Sequence, residues 1–392
     1  MSYFSPAQLD QHRQQFSALS NKAYFNYGGQ GPMTQGAIAA IQQAHEHIQN
    51  IGPFSGASNG WIMEQAKHMK AAIALELSVL PETLTLTENV SVGCNIPLWG
   101  IDWQAGDHLL LTDCEHPGII AAAHEIQRRF GIKITTCPLM ATLNKGNPTD
   151  LIAQYLQPTT RLIVLSHILW NTGQLLPLAE IVQVCHAQSA LVLVDAAQSV
   201  GVLPLNLTEL GADFYAFTGH KWWCGPAGLG GLYISPDAQA SLSPTSIGWR
   251  GITVSSSGQP TGWMTDGRKF EVATSDYTLY AGLRIAIAYH HQWGTATERY
   301  HRILELSHSL WEKLSRLHHV TCLRNAPPEA GLVSFKIEGQ SHPAIVQALE
   351  QQGLLVRTIL DPDCIRACAH YFTSEAEIEQ LVGAIEAAQL SL

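Results

Sequence analysis

From about residue 80 the chain alternates between two kinds of segment, and this constrains its fold more than any other feature. Short apolar runs bounded by turn residues read as buried strands at 84–87, 108–112, 132–137, 162–165, 191–195, 214–218 and 229–234. Amphipathic stretches at 118–130 and 178–189 lie between them and read as helices, with two more at 34–49 and 61–79. Strands alternating with helices imply a mostly parallel sheet covered on both faces. The expected fold class is therefore α/β, with a seven-stranded sheet in a large domain. Residues 277–317 read as one long connecting helix. Residues 320–392 mix short strands (332–337, 354–357) with helices (342–352, 374–388), as in a smaller C-terminal α+β domain. The expected division is an N-terminal segment packing on the domains (1–20), a large domain (21–275), and a connecting helix with the small domain (276–392).

Composition narrows the function classes. At ~150 residues per domain, 392 residues make two or three domains. A chain of this length buries roughly 75% of its unfolded surface and needs no disulfide staples. Lys plus Arg is 22 against 32 Asp plus Glu, a net charge of −10, which argues against a nucleic-acid binder. Charged residues are 14%, against roughly 25% in ordinary domains, and hydrophobic residues are 46%. This balance points to apolar surface hidden in an oligomer interface. No segment approaches the ~20 apolar residues of a spanning helix, and the N-terminus lacks the pattern of a signal peptide, so no membrane is expected. The eight cysteines (94, 114, 137, 185, 224, 322, 364 and 368) form no CxxC and read as free thiols of a reducing cytoplasm. His45-Glu46-His47 and the His pairs at 290–291 and 318–319 lack zinc spacing and read as solvated helix faces, so no metal is expected. Residues 236–268 are rich in Ser, Gly, Thr and Pro but carry Trp249 and Trp263, which reads as an ordered loop packing on something.

The stretch from Leu191 to Gly231 carries the chemistry. It opens LVLVD-AAQ, so Asp195 stands at the carboxyl end of a strand, where open α/β sheets bind ligands. A second strand ends in Thr218-Gly219-His220-Lys221, followed by Trp222-Trp223. A lysine between His and Trp just past a strand end is poorly solvated, which lowers its pKa and suits it to imine chemistry. The GPAGLGG run at 225–231 precedes a strand rather than a helix and is not a dinucleotide loop.

Asp195-Ala196-Ala197-Gln198 followed by Thr218-Gly219-His220-Lys221 resembles the pyridoxal-phosphate enzymes of fold type I. Within them it resembles the class V aminotransferase and cysteine desulfurase group, over most of the chain from about Tyr24. The resemblance implies pyridoxal 5'-phosphate as cofactor, with Lys221 holding its aldehyde and Asp195 keeping its pyridine nitrogen protonated as an electron sink. It places Gln198 at the phenolic oxygen. Thr87, Glu88 and Asn89, where a strand ends and a helix opens, hold the phosphate with Thr218 and His220. In the family a further phosphate contact comes from the neighbouring subunit, and Thr274 in Phe270-Glu271-Val272-Ala273-Thr274-Ser275 is the matching residue. This makes a homodimer with the active site at the interface. His116, in Thr112-Asp113-Cys114-Glu115-His116-Pro117, matches the imidazole that stacks on the cofactor ring. Asn171 matches a residue between the substrate carboxylate and the phenolic oxygen, although Trp170 and Thr172 depart from the family's turn. Arg366 matches the clamp on the substrate α-carboxylate, with Arg357 nearby. Tyr24-Phe25-Asn26-Tyr27-Gly28-Gly29 resembles the entrance strand, with Tyr27 expected to face an amino-acid substrate.

One departure decides between activities. Desulfurases carry a nucleophilic Cys on a loop between the two arginines, whereas here only residues 358–365 separate Arg357 from Arg366. Cys364 and Cys368 lie in the run that holds Arg366 and are not placed to attack a sulfur. Without that thiol the remaining route is β-elimination, as in the cyanobacterial cystine/cysteine C–S lyases, the part of the group this chain resembles most closely. The expected reaction converts L-cystine or L-cysteine to pyruvate, ammonia and persulfide or sulfide. The sulfur would go to iron–sulfur clusters through an apoprotein acceptor. The alternatives are a cysteine desulfurase, or a class V aminotransferase or epimerase acting on another amino acid.

Overall fold

The computed structural model describes residues 6–388, so residues 1–5 of the expected N-terminal segment lie outside the described residues. The first strand, β1 (Ala23–Tyr24), precedes the main sheet. Seven strands then form that sheet: β2 (Leu84–Thr87), β3 (His108–Thr112), β4 (Lys133–Cys137), β5 (Thr160–Ser166), β6 (Leu191–Asp195), β7 (Phe214–Thr218) and β8 (Gly230–Ile234). Their order is β2-β8-β7-β6-β5-β3-β4. β8 runs antiparallel to both its neighbours, and the pairs from β7 to β4 are parallel.

Side chains alternate across the sheet with period two. Leu109, Leu111, Leu162, Val164 and Leu193 face one apolar cluster with Cys94, Leu98, Ile119 and Ile126 of the covering helices Val90–Gly100 and Pro117–Phe130. Leu110, Ile163, Leu165, Val192 and Val194 face the other, with Met69, Ile73, Leu178 and Ile181 of the helices on the opposite side. Burial on both faces is why these strands read as nearly continuous apolar runs.

Two further strands, β9 (Ile252–Val254) and β10 (Pro260–Trp263), pair as a hairpin. A second sheet is built from β11 (Val320–Cys322), β12 (Leu332–Ile337), β14 (Arg357–Leu360) and β15 (Asp363–Cys368), in the order β11-β12-β15-β14 and antiparallel throughout. Between β12 and β14, the short β13 (Leu354–Leu355) runs parallel to β1. Ala23 and Phe25 thus join the core of the second sheet, with Leu306, Leu310, Ile345 and Ile378 of its helices. The N-terminal helix Pro6–Arg13 is tied down by an Arg13–Glu377 ion pair at 2.7 Å and by a hydrogen bond from Tyr289 Oη to the His12 carbonyl.

Three expectations are corrected. The single helix over 277–317 is two helices, Leu279–Trp293 and Ala296–Ser315. Gly294 ends the first, and Thr295 opens the second with a capping box: Thr295 Oγ1 accepts from Glu298 N, and Glu298 Oε2 accepts from Thr295 N at 2.8 Å. The run 354–357 is two strands that change partner at Val356, β13 facing β1 and β14 facing β15. Of the tryptophans in 236–268, Trp249 is 65% exposed and Trp263 43%, so each is only partly covered within the one chain. His290 and His319 are not on solvated faces but buried, and His290 is held between Tyr371 Oη at 2.7 Å and the Trp223 carbonyl at 2.8 Å.

Thr295→Ala removes the Oγ1 half of the capping box and leaves the backbone N–H of residue 295 to Glu298. It is expected to lower stability by about 1 kcal/mol in denaturant unfolding without altering the active-site residues.

Candidate active site

The carboxyl ends of β5, β6 and β7 lie side by side, and the site is built there. Asp195 ends β6, is buried, and accepts from Ala197 N at 2.9 Å. Beyond β7 the chain turns through Thr218-Gly219-His220 to Lys221. Thr218 Oγ1 and His220 Nδ1 are 2.6 Å apart, and Gly219 N donates to the Leu229 carbonyl at 2.9 Å. A Cβ at Gly219 would meet the Leu283 side chain at 2.9 Å, so the turn needs glycine. Lys221 is half-buried. Burial brings its pKa down to about 8, against the pull of Asp195 and with the push of Arg366 and Arg357. Burial also lowers His220 to about 4, helped by Lys221, so it is neutral.

Gln198, one turn after Asp195, is buried with both ends of its amide engaged. Nε2 donates to the Gly28 carbonyl at 2.9 Å, and Oε1 accepts from Trp222 Nε1 at 3.0 Å. The loop after β1 closes over this layer. A Cβ at Gly28 would lie 2.8 Å from Arg366 Nη2, and one at Gly31 would lie 2.2 Å from the Lys221 carbonyl. Glycine at these positions lets the loop meet both cationic residues.

Arg366 on β15 is 2% exposed, and Nη1 donates to the Trp170 carbonyl at 2.6 Å. It stands directly opposite the exposed Arg357 on β14. Like charges facing across a strand pair repel. With Lys221 also near, the arrangement favours an anionic ligand. Asn171 is buried. Its Nδ2 donates to the Asp361 carbonyl at 3.2 Å, its backbone carbonyl accepts from Ser334 Oγ at 2.7 Å, and among the described residues its Oδ1 has no hydrogen-bond partner.

His116 caps the helix Pro117–Phe130: Nδ1 accepts from Gly118 N at 3.2 Å, so the ring proton sits on Nε2. Its pKa is lowered by partial burial, with Asp195 pulling the other way. Its ring meets Trp170 edge-on at 5.8 Å. Glu115, which sequence reasoning passed over, is buried and staples β3 to β5. It accepts from Thr112 Oγ1 at 2.5 Å, Ser166 Oγ at 2.9 Å and Ser166 N at 3.2 Å. Burial raises its pKa to about 8, opposed by the Thr112 hydrogen bond and reinforced by Asp195.

At the end of β2, Thr87 Oγ1 donates to the Asn89 carbonyl at 3.0 Å, and Asn89 caps the helix Val90–Gly100 through Val92 N. Glu88 is exposed. These three residues line a cleft of about 730 Å³ together with Val272 and Ser275. Thr274, between those two, is exposed, and among the described residues no hydrogen bond joins it to the Lys221 cluster. Glu271 anchors this segment to β2. It is buried, accepts from Leu86 N at 3.1 Å and pairs with Lys70 at 2.7 Å and Arg250 at 3.2 Å.

One residue is placed otherwise than expected. Tyr27 does not face a substrate pocket but is 1% exposed, packed on Trp222, His370 and Phe372. Its ring fills apolar core, and the charges nearest its hydroxyl are Glu377 and Arg13 rather than Lys221.

The residues fit pyridoxal phosphate. Lys221 is an amine of low proton affinity for the aldehyde. Asp195 is a carboxylate for the ring nitrogen, and Gln198 is an amide for the phenolic oxygen. A helix N-terminus with Thr87 and Asn89 suits the phosphate. Among the described residues no three His, Cys, Asp or Glu side chains gather as a metal site, and no helix is long and apolar enough to cross a membrane.

Comparison with known proteins gives the family of the chain. Residues 24–382 match the profile of the aminotransferase class-V family. The isopenicillin N epimerase of Streptomyces clavuligerus is 28% identical over 385 residues, covering 92% of this chain and 94% of its own. A probable cysteine desulfurase of Methanothermobacter thermautotrophicus is 27% identical over 325 residues, 78% of this chain and 79% of its own. Among solved structures, a complex of the cystine C–S lyase C-DES with its reaction product cysteine persulfide is 51% identical. It covers 95% of this chain and 99% of its own, with a TM-score of 0.94. A C-DES mutant with glycine covalently linked to its PLP cofactor matches with the same identity and score. This chain, with its Asp195–Gln198 strand end and its Lys221 turn inside the matched region, belongs to the class-V aminotransferase family.

Proposed function

We propose that this chain is a pyridoxal-phosphate-dependent carbon–sulfur lyase that carries out β-elimination on L-cystine or L-cysteine. The carrying observation is the connection between the two arginines. β14 and β15 join through the tight turn Leu360-Asp361-Pro362-Asp363, with no room for a mobile loop. Cys364 and Cys368 are fully buried in β15, and burial pushes the Cys364 thiol up to about 12. Both side chains are fixed in a buried strand, so neither can swing out to a substrate sulfur. This disfavours the desulfurase alternative. The 51% identity to a cystine C–S lyase favours elimination over the aminotransferase or epimerase alternative.

The chain's residues divide the work as follows. Arg366, with Arg357 opposite, binds the α-carboxylate and orients the substrate. When bound through Lys221, the cofactor supplies the electron sink that makes the Cα proton acidic. Lys221 Nζ, freed when the substrate amine takes its place, would take that proton with a pKa near 8. The Cβ–S bond then breaks and the sulfur leaves with the electron pair. The Nε2 proton of His116 is available to it. From cystine the leaving group is a persulfide, which departs at lower pKa than a simple thiol. After addition of water the remaining three carbons end as pyruvate and the nitrogen as ammonia.

Three further readings belong to this proposal. The protein is a homodimer with its active sites at the interface. The exposed Ile247, Trp249 and Trp263, the low charged fraction of 14%, and the exposed Thr274 beside the phosphate cleft support this. The released persulfide or sulfide serves an iron–sulfur apoprotein. The enzyme works in the cytoplasm, in keeping with eight free, buried cysteines.

Incubation of the purified protein with pyridoxal phosphate and L-cystine is expected to yield pyruvate and ammonia in equal amounts. Alanine as the main three-carbon product would overturn the lyase reading. Cys364→Ser and Cys368→Ser are expected to keep turnover within about twofold of wild type, since neither thiol takes part. Uptake of pyridoxal phosphate by the apoenzyme requires the neutral amine, so its rate should rise with pH and reach half-maximum at about 8. A midpoint near the ordinary lysine value of ~10.4 would contradict the desolvated Lys221.

A further inference from the structure

Trp222 follows Lys221 directly and is fully buried. It is held from several sides. Its ring stacks on Tyr27 at 6.1 Å and on His370 at 5.6 Å. Its carbonyl accepts from His370 Nε2 at 2.9 Å, and His370 Nδ1 accepts from Tyr371 N, which places the imidazole proton on Nε2. Two glycines make room for it: a Cβ at Gly331 would come within 2.7 Å of the indole, and one at Gly201 within 2.9 Å of the Trp222 Cβ. An indole fixed this firmly has one polar atom, Nε1, and that atom donates to Gln198 Oε1.

The two ends of an amide have nearly the same shape, so its orientation is decided by its partners. Here an obligate donor faces the oxygen and an obligate acceptor, the Gly28 carbonyl, faces the nitrogen. Both partners select the same orientation, and the second Nε2 proton remains uncommitted. We propose that Trp222 is a positioning residue: by holding the Gln198 amide donor-side out, it sets how tightly the Lys221-bound cofactor keeps its imine proton. The proposal rests on the reading of Gln198 at the phenolic oxygen. A donor there draws charge from that oxygen and weakens its hold on the neighbouring proton. Without Trp222 only the Gly28 carbonyl orients the amide, its remaining N–H donor is less firmly aimed, and the proton is held more tightly.

The test is a pH titration of the visible cofactor band of the holoenzyme without substrate. Trp222→Phe is expected to raise the midpoint by about one pH unit, the scale of one hydrogen bond to a charged group. Gln198→Ala should raise it similarly, and the double variant no further than either. The other groups around Lys221, namely Asp195, Arg366, Arg357, His116, His220 and Cys368, are unchanged in all three. An unmoved midpoint in Trp222→Phe, or two shifts that add, overturns the proposal. Should Trp222→Phe not fold, indole ¹⁵N–¹H spectra of wild-type and Gln198→Ala holoenzyme decide instead. One indole signal must move on Gln198→Ala, and none moving overturns the proposal. No substrate is present, so failure of the elimination chemistry leaves this result standing. Loss of cofactor binding in the wild type would overturn the reading beneath it.

Discussion

Lys221 stands where an ammonium loses much of its water, and the arrangement of the site follows from that. Desolvation favours the neutral amine, and the cationic Arg366 and Arg357 push the same way. Asp195 is the opposing influence, delivered to the same layer because β6 and β7 are adjacent parallel strands that end together. A lysine in this balance releases and takes up protons near neutrality, which both imine formation and proton removal at Cα require. The seven-stranded sheet serves the site chiefly as a rigid ruler that sets the spacing of these ends.

The second sheet brings the rest. β12 and β15 set Arg366 against the Trp170-Asn171 turn, through hydrogen bonds from Arg366 to the Trp170 carbonyl and from Ser334 to the Asn171 carbonyl. The loop after β1 fills the space between the two sheets, with Gly28 against Arg366 and Gly31 against the Lys221 carbonyl. A side chain at Gly28 would press on Arg366, and one at Gly31 on the Lys221 backbone. Two arginines in cross-strand register repel, so this corner of the sheet favours an anion over a cation.

Much of this was legible in the sequence because its causes are local. LVLVD ending in Asp195, and the glycine turn that delivers Lys221, are short motifs whose geometry is set by a strand and a few backbone hydrogen bonds. The central strands β3, β5, β6 and β7 announce themselves because burial on both faces leaves little polar alternation. What escaped was decided by partners distant in sequence. Nothing local says that Trp222 bonds Gln198, that Glu115 staples β3 to β5, or that Glu271 anchors β2 through Lys70 and Arg250. Tyr27 looked like a pocket residue from the motif around it, but it lies in the turn after β1 and its ring packs on Trp222, His370 and Phe372. The helix break at Gly294 was readable in hindsight from Gly-Thr-x-x-Glu, a capping box hidden inside a longer apolar pattern. His290 shows the limit of spacing arguments: its burial depends on Tyr371 and Trp223, which no helical periodicity can reveal.

The central claim, that the desolvated lysine beside Asp195 is the cofactor's anchor, has a direct test. The holoenzyme is reduced with borohydride, digested, and the modified peptide located by mass spectrometry. The account predicts one pyridoxyl-lysine, at Lys221. Label on another lysine, or no label in a protein that retains its visible band, would contradict it.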